Sequence, residues 1–164
     1  MSDEILKKMG ADIKVKNGYI IASATKGLKG CLIKFSKKSV GATENILIAA
    51  CFSKGKTRLR NCAAEPEVND LISFLKKLGC QINQVGKRSI DIIGVKKLKP
   101  AIHRVIFDRI EAGTYMIAGA ITNGRIKIIN IDPKIMRTEI ELLKNMNVKI
   151  IKKKNYLTVK STKK

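Results

Sequence analysis

The chain has 164 residues, of which 45% are hydrophobic, so it is long enough for a domain with a real core and is not a predominantly disordered protein. The net charge of +21 comes from 27 Lys and 7 Arg, which are spread along the whole chain and not interleaved with aromatic residues, so the pattern argues against a dedicated nucleic-acid-binding surface. No apolar run approaches the roughly 18 residues that a membrane-spanning helix needs.

The residues able to bind a soft metal are four cysteines, Cys31, Cys51, Cys62 and Cys80, and one histidine, His103. No two cysteines form a C-x-x-C pair, which argues against a zinc site. Most of the cysteines lie in apolar runs and no secretion signal precedes them. We therefore expect reduced, buried thiols in a cytoplasmic protein.

The sequence repeats itself at an offset of 69 residues. Residues 44–61 (ENILIAACFSKGKTRLRN) match residues 113–130 (GTYMIAGAITNGRIKIIN) at this offset, and residues 75–82 match residues 143–150 at an offset of 68 (143 minus 75). A third, partial copy opens the chain at residues 6–13. The chain is therefore predicted to hold the tail of one structural unit followed by two nearly whole units, as a piece of something longer.

In the first full unit, a helix that is apolar almost all round is followed by a strand, an amphipathic helix and two strands. These elements are predicted at residues 46–52, ended by Gly55, at 57–61, from Pro66 onward, at 81–83 and at 89–93. The amphipathic helix carries an apolar stripe of Val68, Leu71, Leu75 and Leu78. The first helix has no polar face, so we expect it to be buried on all sides.

The second full unit repeats this plan. Its elements are predicted at residues 115–121, ended by Gly124, at 125–130, behind Asp132 and Pro133, at 149–151 and at 156–159. The lysine run at residues 152–154 is interpreted as a solvated turn. The sequence thus predicts an α/β fold of repeated β-α-β-α-β-β units, each with one buried and one covering helix.

The segment Lys37, Lys38, Ser39, Val40 and Gly41 directly precedes the first apolar helix and is the best candidate binding site. Free backbone N–H groups and the helix dipole attract anions to such a terminus. The serine adds a hydroxyl, the glycine allows close approach and the lysines add positive charge. The alternative is that Ser39 simply caps the helix.

Glu65, Glu67 and Asp70 form an acidic cluster in a basic chain. Paired carboxylates can carry out acid–base chemistry. The alternative is that they favour the N-terminus of the helix that starts near Pro66. The sequence leaves both interpretations open.

Asp108, Arg109 and Glu111 occupy the corresponding start of the second apolar helix. Asp108 can cap this helix and Arg109 can pair with a carboxylate. If the two repeat units face each other, both positive helix ends are expected to meet at one cleft for anionic substrates. His103 lies in a strand-like stretch, residues 102–107, without an obvious partner, and a surface or packing role is expected for it.

Three blocks in this order are similar to signature stretches of UDP-N-acetylglucosamine enolpyruvyl transferases: SVGATEN at 39–45, NCAAEPEV at 61–68 and DRIEAGTYM at 108–116. The resemblance covers nearly the whole chain. It implies two domains of three repeat units each, described as an inside-out α/β barrel. Residues 1–107 are then the C-terminal part of one domain, and residues 108–164 are the first unit of the other.

The resemblance also implies a function. Members of this family transfer the enolpyruvyl group of phosphoenolpyruvate to the 3-hydroxyl of UDP-N-acetylglucosamine and release phosphate, without a cofactor. Residues that match 37–41 contact the UDP-sugar in this family. The cleft residues are expected to include Glu65, Glu67, Asp108, Arg109 and Glu111.

The family's loop with a general-acid cysteine, its catalytic aspartate and its phosphoenolpyruvate-binding arginine match nothing in this sequence, so no catalytic residue is predicted. The chain is expected to be inactive alone, either as a truncated product or as one part of a split enzyme whose partner chain supplies the cysteine loop. The alternatives are the sister family that acts on shikimate 3-phosphate and a non-enzymatic basic module that binds nucleic acid.

Overall fold

The computed structural model describes residues 2–161, and the chain divides into two compact units, Met1–Arg104 and Val105–Lys164. Each unit has its own hydrophobic core. Within the described residues, no helix is both long and apolar enough to cross a membrane. The assignment of residues 1–107 and 108–164 to two domains of a longer protein stays a prediction.

The first unit contains a two-stranded hairpin and a four-stranded sheet. Its elements are α1 Ser2–Lys8, β1 Asp12–Lys16, β2 Tyr19–Ser23, β3 Leu32–Lys34, α2 Val40–Cys51, β4 Lys56–Arg60, α3 Pro66–Lys77, β5 Gln81–Gly86 and β6 Ser89–Ile93. The sheet has the order β3-β4-β6-β5, in which β3 is parallel to β4 and the other pairs are antiparallel. The helices α2 and α3 pack against each other, and α2 also contacts β6.

The second unit contains two helices and a three-stranded antiparallel sheet. Its elements are α4 Arg109–Ile121, β7 Arg125–Ile129, α5 Arg137–Asn145, β8 Lys149–Lys152 and β9 Tyr156–Lys160. The sheet has the order β7-β9-β8. The helix α4 packs on β7 and β9, and it also contacts α5.

The internal repeat is confirmed by the structure. The strands β4 and β7 begin and end 69 positions apart, and each sheet places its last strand in the middle. Directly after these strands, Asn61 and Asn130 adopt the same left-handed backbone, with φ of 59° and 58°. Asparagine tolerates this conformation better than most residues, which explains why the repeat keeps it there.

The two units differ at their first strand. The first unit has all six elements of the predicted β-α-β-α-β-β plan, whereas no strand precedes α4 among the described residues of the second unit. The prediction of a strand-like stretch at residues 102–107 is therefore wrong. Residues 102 and 103 bind instead to α3 of the first unit, through the side chains of Lys77 and Asp70.

The prediction that the two apolar helices are buried on all sides is also wrong for this chain. In α2, Ile46 and Leu47 are fully buried, but Ile48 is 47% exposed. In α4, Met116 is fully buried while Ile121 is 74% exposed. Within its unit each helix contacts the sheet and at least one other helix, and none of the described residues of that unit covers these exposed side chains.

The helix ends differ in detail from the expected ones. The helix α2 ends at Cys51, four positions before Gly55, and the left-handed residue after α4 is Asn123 rather than Gly124. Pro66 is the first residue of α3, as predicted. Asp132 caps a turn through the N–H of Lys134, so α5 starts only at residue 137.

Three of the four cysteines are buried core residues, as expected, and Cys31 is half-buried. Burial raises the pKa of the Cys62 thiol to about 11, although the nearby Arg60 and Arg88 oppose the shift. Burial and a contact with Cys80 raise the pKa of Cys51 further. These thiols are protonated at neutral pH and therefore poor nucleophiles.

The central strand pair of the first unit carries a buried charge. The carboxylate of Asp91 lies 2.7 Å from Lys56 Nζ and 2.9 Å from Arg60 Nη1, and its side chain is 11% exposed. Hydrogen bonds from these two cations lower the pKa of Asp91. The carboxylate is therefore ionised over the whole neutral range.

The hairpin of β1 and β2 is almost entirely exposed, although it is rich in apolar residues. Val15, Tyr19 and Ile20 are 74%, 75% and 61% exposed. Among the strands that the structure describes, these two pair only with each other. An isolated hairpin of this kind contributes little stability of its own.

Candidate functional site

The candidate segment at residues 37–41 leads into α2. Ser39 is the N-cap, with Oγ accepting a hydrogen bond from the N–H of Ala42 at 3.3 Å, so its capping role is confirmed. The following amides, at Val40 and Gly41, have no partner within the helix. Lys37 and Lys38 are exposed and form no ion pair within residues 2–161.

Gly41 is exposed, and a Cβ built on it would meet nothing within 4 Å. Packing inside the unit therefore does not require a glycine at this position. A glycine next to free helix amides leaves room for a molecule to approach the backbone from outside. The segment thus combines an anion-attracting helix end, an open surface and two lysines.

Two polar side chains that the sequence interpretation missed hold this segment in place. The hydroxyl of Thr43 is fully buried, donates to the Ser39 carbonyl at 2.8 Å and accepts from the N–H of Ala63 at 3.1 Å. Asn61 Nδ2 donates to the carbonyl of Phe35 at 2.8 Å. The signals in the sequence were a hydroxyl within an apolar helix and an asparagine kept in both repeats.

The acidic cluster is divided between two places. Glu65 is the N-cap residue of α3, and its Oε2 accepts from the N–H of Ala64 at 2.6 Å; Glu67 follows in the first turn. Burial raises the pKa of Glu44, and the nearby negative charge of Glu67 raises it further. Asp70 lies one turn further along α3, and its carboxylate contacts His103. The positions of the two glutamates fit stabilisation of the helix start.

His103 has a partner that the sequence did not reveal. Its Nε2 lies 3.1 Å from Asp70 Oδ1, and its ring centroid lies 5.2 Å from that of Phe74. The imidazole side chain is only 8% exposed, and its Nδ1 has no hydrogen-bond partner in the part of the chain that the structure describes. The expected packing role is consistent with this position, because the contact fixes an irregular segment on α3.

The start of α4 matches its predicted local structure. Asp108 caps the helix, with Oδ1 accepting from the N–H groups of Ile110 and Glu111 at 2.8 and 3.1 Å. Arg109 Nη1 lies 3.8 Å from Glu139 Oε1. The expected cap and the expected carboxylate partner are both confirmed.

A groove of about 430 Å³ runs between the start of α4 and β7. Its walls are mainly apolar, and its polar groups come from Asp108, Glu111, Tyr115 and Lys127. Lys127 Nζ also lies 4.3 Å from the ring centroid of Tyr156. The groove therefore brings together two of the candidate residues of the second unit.

Solved structures with this fold are enolpyruvyl transferases. The chain is similar to the enolpyruvyl transferase NikO from Streptomyces tendae, with a TM-score of 0.84 and 21% identity over 99% of this chain and 42% of that one. It is also similar to EPSP synthase from Acinetobacter baumannii, with a TM-score of 0.69 and 22% identity over 98% of this chain and 39% of that one. The fold is therefore that of the enolpyruvyl transferases.

The family model described as EPSP synthase (3-phosphoshikimate 1-carboxyvinyltransferase) matches residues 3–164, so the chain belongs to this family. Curated relatives have a more specific name than the family model. The chain is 53% identical to the UDP-N-acetylglucosamine 1-carboxyvinyltransferase of Pelagibacter ubique over 98% of its own length. It is 46% identical to that of Endomicrobium trichonymphae over 93% of its length.

The chain spans 39% and 36% of the lengths of these two relatives. The resemblance to an internal part of such enzymes, drawn from the three sequence blocks, is thus confirmed.

Proposed function

We propose that the chain supplies part of the UDP-sugar site of an enzyme that transfers enolpyruvyl from phosphoenolpyruvate to UDP-N-acetylglucosamine in peptidoglycan precursor synthesis. The observation that carries the proposal is the open, lysine-flanked start of α2 in a chain 53% identical to such a transferase. In this proposal the free amides at Val40 and Gly41, the Ser39 hydroxyl and the two lysines bind the anionic nucleotide sugar. Such a protein acts in the cytoplasm, where cell-wall precursors for growth and division are made.

The test is titration of the chain with UDP-N-acetylglucosamine, followed by calorimetry or by amide shifts in NMR spectra. We expect Lys37→Glu to weaken binding by roughly tenfold, because it replaces attraction by repulsion at the helix end. The matched control is Lys16→Glu, which makes the same charge change on the exposed hairpin. Equal effects of the two substitutions would remove Lys37 from the site.

Glu65, Glu67, Asp108, Arg109 and Glu111 are proposed as further contacts of the same active site. No residue of the chain is assigned as catalytic, and a complementary polypeptide with the cysteine loop is proposed to complete the site. Neither part alone should release phosphate from the two substrates, whereas the mixture should. Phosphate release by the chain alone would refute the proposal.

Transfer to shikimate 3-phosphate is the second candidate, because the matching family model carries that description. Competition distinguishes the two. Displacement of UDP-N-acetylglucosamine by UDP but not by shikimate 3-phosphate supports the first candidate. Displacement by shikimate 3-phosphate but not by UDP supports the second.

A further inference from the structure

The sheet of the second unit has one face turned away from the core. Leu157 and Val159 are fully buried, and Ile150 packs against the same core from the side of the sheet that α4 covers. Side chains alternate between the two faces of a strand, so the residues next to these point the other way. This outer face consists of Arg125, Lys127 and Ile129 of β7, Lys149 and Ile151 of β8, and Tyr156, Thr158 and Lys160 of β9.

Three cations of the outer face lie side by side. Arg125 is paired in register with Lys160, and Lys160 with Lys149. All three are exposed, and none forms an ion pair within residues 2–161. The three strands contain no Asp or Glu. Like charges directly opposite each other destabilise a sheet, so this row costs the unit stability and gains nothing from its own strands.

The first unit differs at the equivalent place, because its sheet contains a carboxylate. Asp91 lies opposite Arg58 in the pairing of β4 with β6, and it binds two other cations of β4. The repeat offset of 69 residues aligns Arg58 with Lys127, and the residue opposite Lys127 is Thr158, which has no charge. The first unit thus neutralises its cations internally, whereas the second unit presents them to an anion from outside.

The other side chains of the outer face indicate what kind of anion fits. Ile129 is 60% exposed and Ile151 is 43% exposed, beside the cations. Lys127 Nζ lies 4.3 Å from the ring centroid of Tyr156, so this ring is not free to stack on a nucleic-acid base. Isoleucines contribute nothing to the binding of a phosphate backbone. Cations that alternate with exposed apolar and aromatic side chains are typical of surfaces that lie on a membrane.

We propose that the outer face binds the surface of an anionic lipid bilayer. The row of Arg125, Lys149 and Lys160 contacts lipid phosphates, and Ile129 and Ile151 enter the headgroup region. The three strands are about 4.8 Å apart, so the row is about 10 Å wide and can contact several headgroups at once. None of these residues belongs to the segment at residues 37–41, so the chain can hold its nucleotide sugar while it lies on the membrane.

The probe is a suspension of vesicles with equal amounts of phosphatidylglycerol and phosphatidylcholine, sedimented with the full chain. The first variant combines Arg125→Gln, Lys149→Gln and Lys160→Gln. We expect binding to weaken roughly a hundredfold, because each cation near an anionic surface contributes about fivefold. Pure phosphatidylcholine vesicles should bind neither protein.

The matched control combines Lys16→Gln, Lys26→Gln and Lys87→Gln, three exposed lysines of the first unit. It lowers the net charge equally but leaves the outer face intact, so binding should fall by no more than about threefold. The melting temperature gives a second readout. The first variant should melt at the same or a higher temperature than the unsubstituted chain, because it relieves repulsion between paired cations.

Ile129→Ser combined with Ile151→Ser tests the apolar contribution. We expect this variant to weaken vesicle binding by about threefold to tenfold, since both side chains leave water only in part. Binding to single-stranded RNA or to polyglutamate should stay unchanged, because those polyanions have no apolar layer. Circular dichroism checks that the variant folds.

If the first variant and its control weaken vesicle binding equally, or if the unsubstituted chain does not bind anionic vesicles, the proposal is refuted. If the isoleucine variant binds vesicles normally and the first variant loses RNA or polyglutamate instead, the face binds a different polyanion and the assignment of its occupant is wrong. Titration with UDP-N-acetylglucosamine separates this proposal from the proposed function, because all three variants should bind the nucleotide sugar as the unsubstituted chain does.

Discussion

The buried hydroxyl of Thr43 allows a quantitative test of how the candidate segment is held. Thr43→Val keeps the shape of the side chain but removes one hydrogen bond to the Ser39 carbonyl and the acceptor that the Ala63 N–H has among residues 2–161. Because Ala63 is 2% exposed, water cannot easily replace this acceptor. We expect the free energy of unfolding to fall by about 2–3 kcal/mol, from the unsatisfied N–H and the lost hydrogen bond.

Thr43→Ser is the control, because it keeps the hydroxyl and loses only a buried methyl group, at a cost of about 1 kcal/mol. Urea unfolding followed by circular dichroism gives both free energies when the denaturant slopes agree. Hydrogen exchange at the Ala63 amide should accelerate in Thr43→Val and stay slow in Thr43→Ser. Equal destabilisation by the two substitutions would show that the hydroxyl does not hold the segment.

Three further predictions concern the first unit. Asp91→Asn should lower the free energy of unfolding by about 1–2 kcal/mol in urea titrations at neutral pH, because two cations lose their anionic partner. Since the folded-state pKa of Asp91 is below its ordinary value of 3.8, this difference should be present above pH 3.8 and vanish as the pH falls through the folded-state value. The pKa of Cys62 is raised from 9.0 to about 11, so its contribution to stability is present below pH 9.0 and is lost as the pH rises to about 11. In thermal melts over this pH range, the melting temperature of Cys62→Ala should fall less than that of the unsubstituted chain. Gly94→Ala would place a Cβ 1.7 Å from the Ser53 carbonyl oxygen, so it should unfold the unit in circular dichroism, whereas Gly86→Ala, with its nearest contact at 3.8 Å, should not.

The local structure followed from the sequence because the repeat supplied each pattern twice. The buried side of α3, with Val68 and Leu75, lies on the predicted stripe, and the strand β6 has the predicted bounds. The repeat aligns Asn61 with Asn130, and the two residues share a left-handed backbone conformation. Short-range periodicity therefore predicted the elements and some of their ends, whereas several helices begin or end at other residues.

The errors concern contacts between residues far apart in sequence. His103 binds Asp70 across 33 positions from an irregular segment, which has no periodicity to analyse. The exposed side of α4 was misjudged because an apolar pattern shows that a helix needs covering, but not whether the covering residues are in the same chain. The role of Thr43 was missed because its hydroxyl is apparent within an apolar helix, but its partners, the Ser39 carbonyl and the Ala63 N–H, are seen only in the folded structure.

The uncovered hairpin of β1 and β2 has a consequence inside a cell. Its strands expose Val15, Tyr19 and Ile20 to water, and no other described strand pairs with their outer sides. Chaperones and proteases recognise extended apolar segments of this kind in incompletely assembled proteins. We therefore expect proteolysis to start in this ribbon, and a partner that covers the ribbon to lengthen the lifetime of the protein.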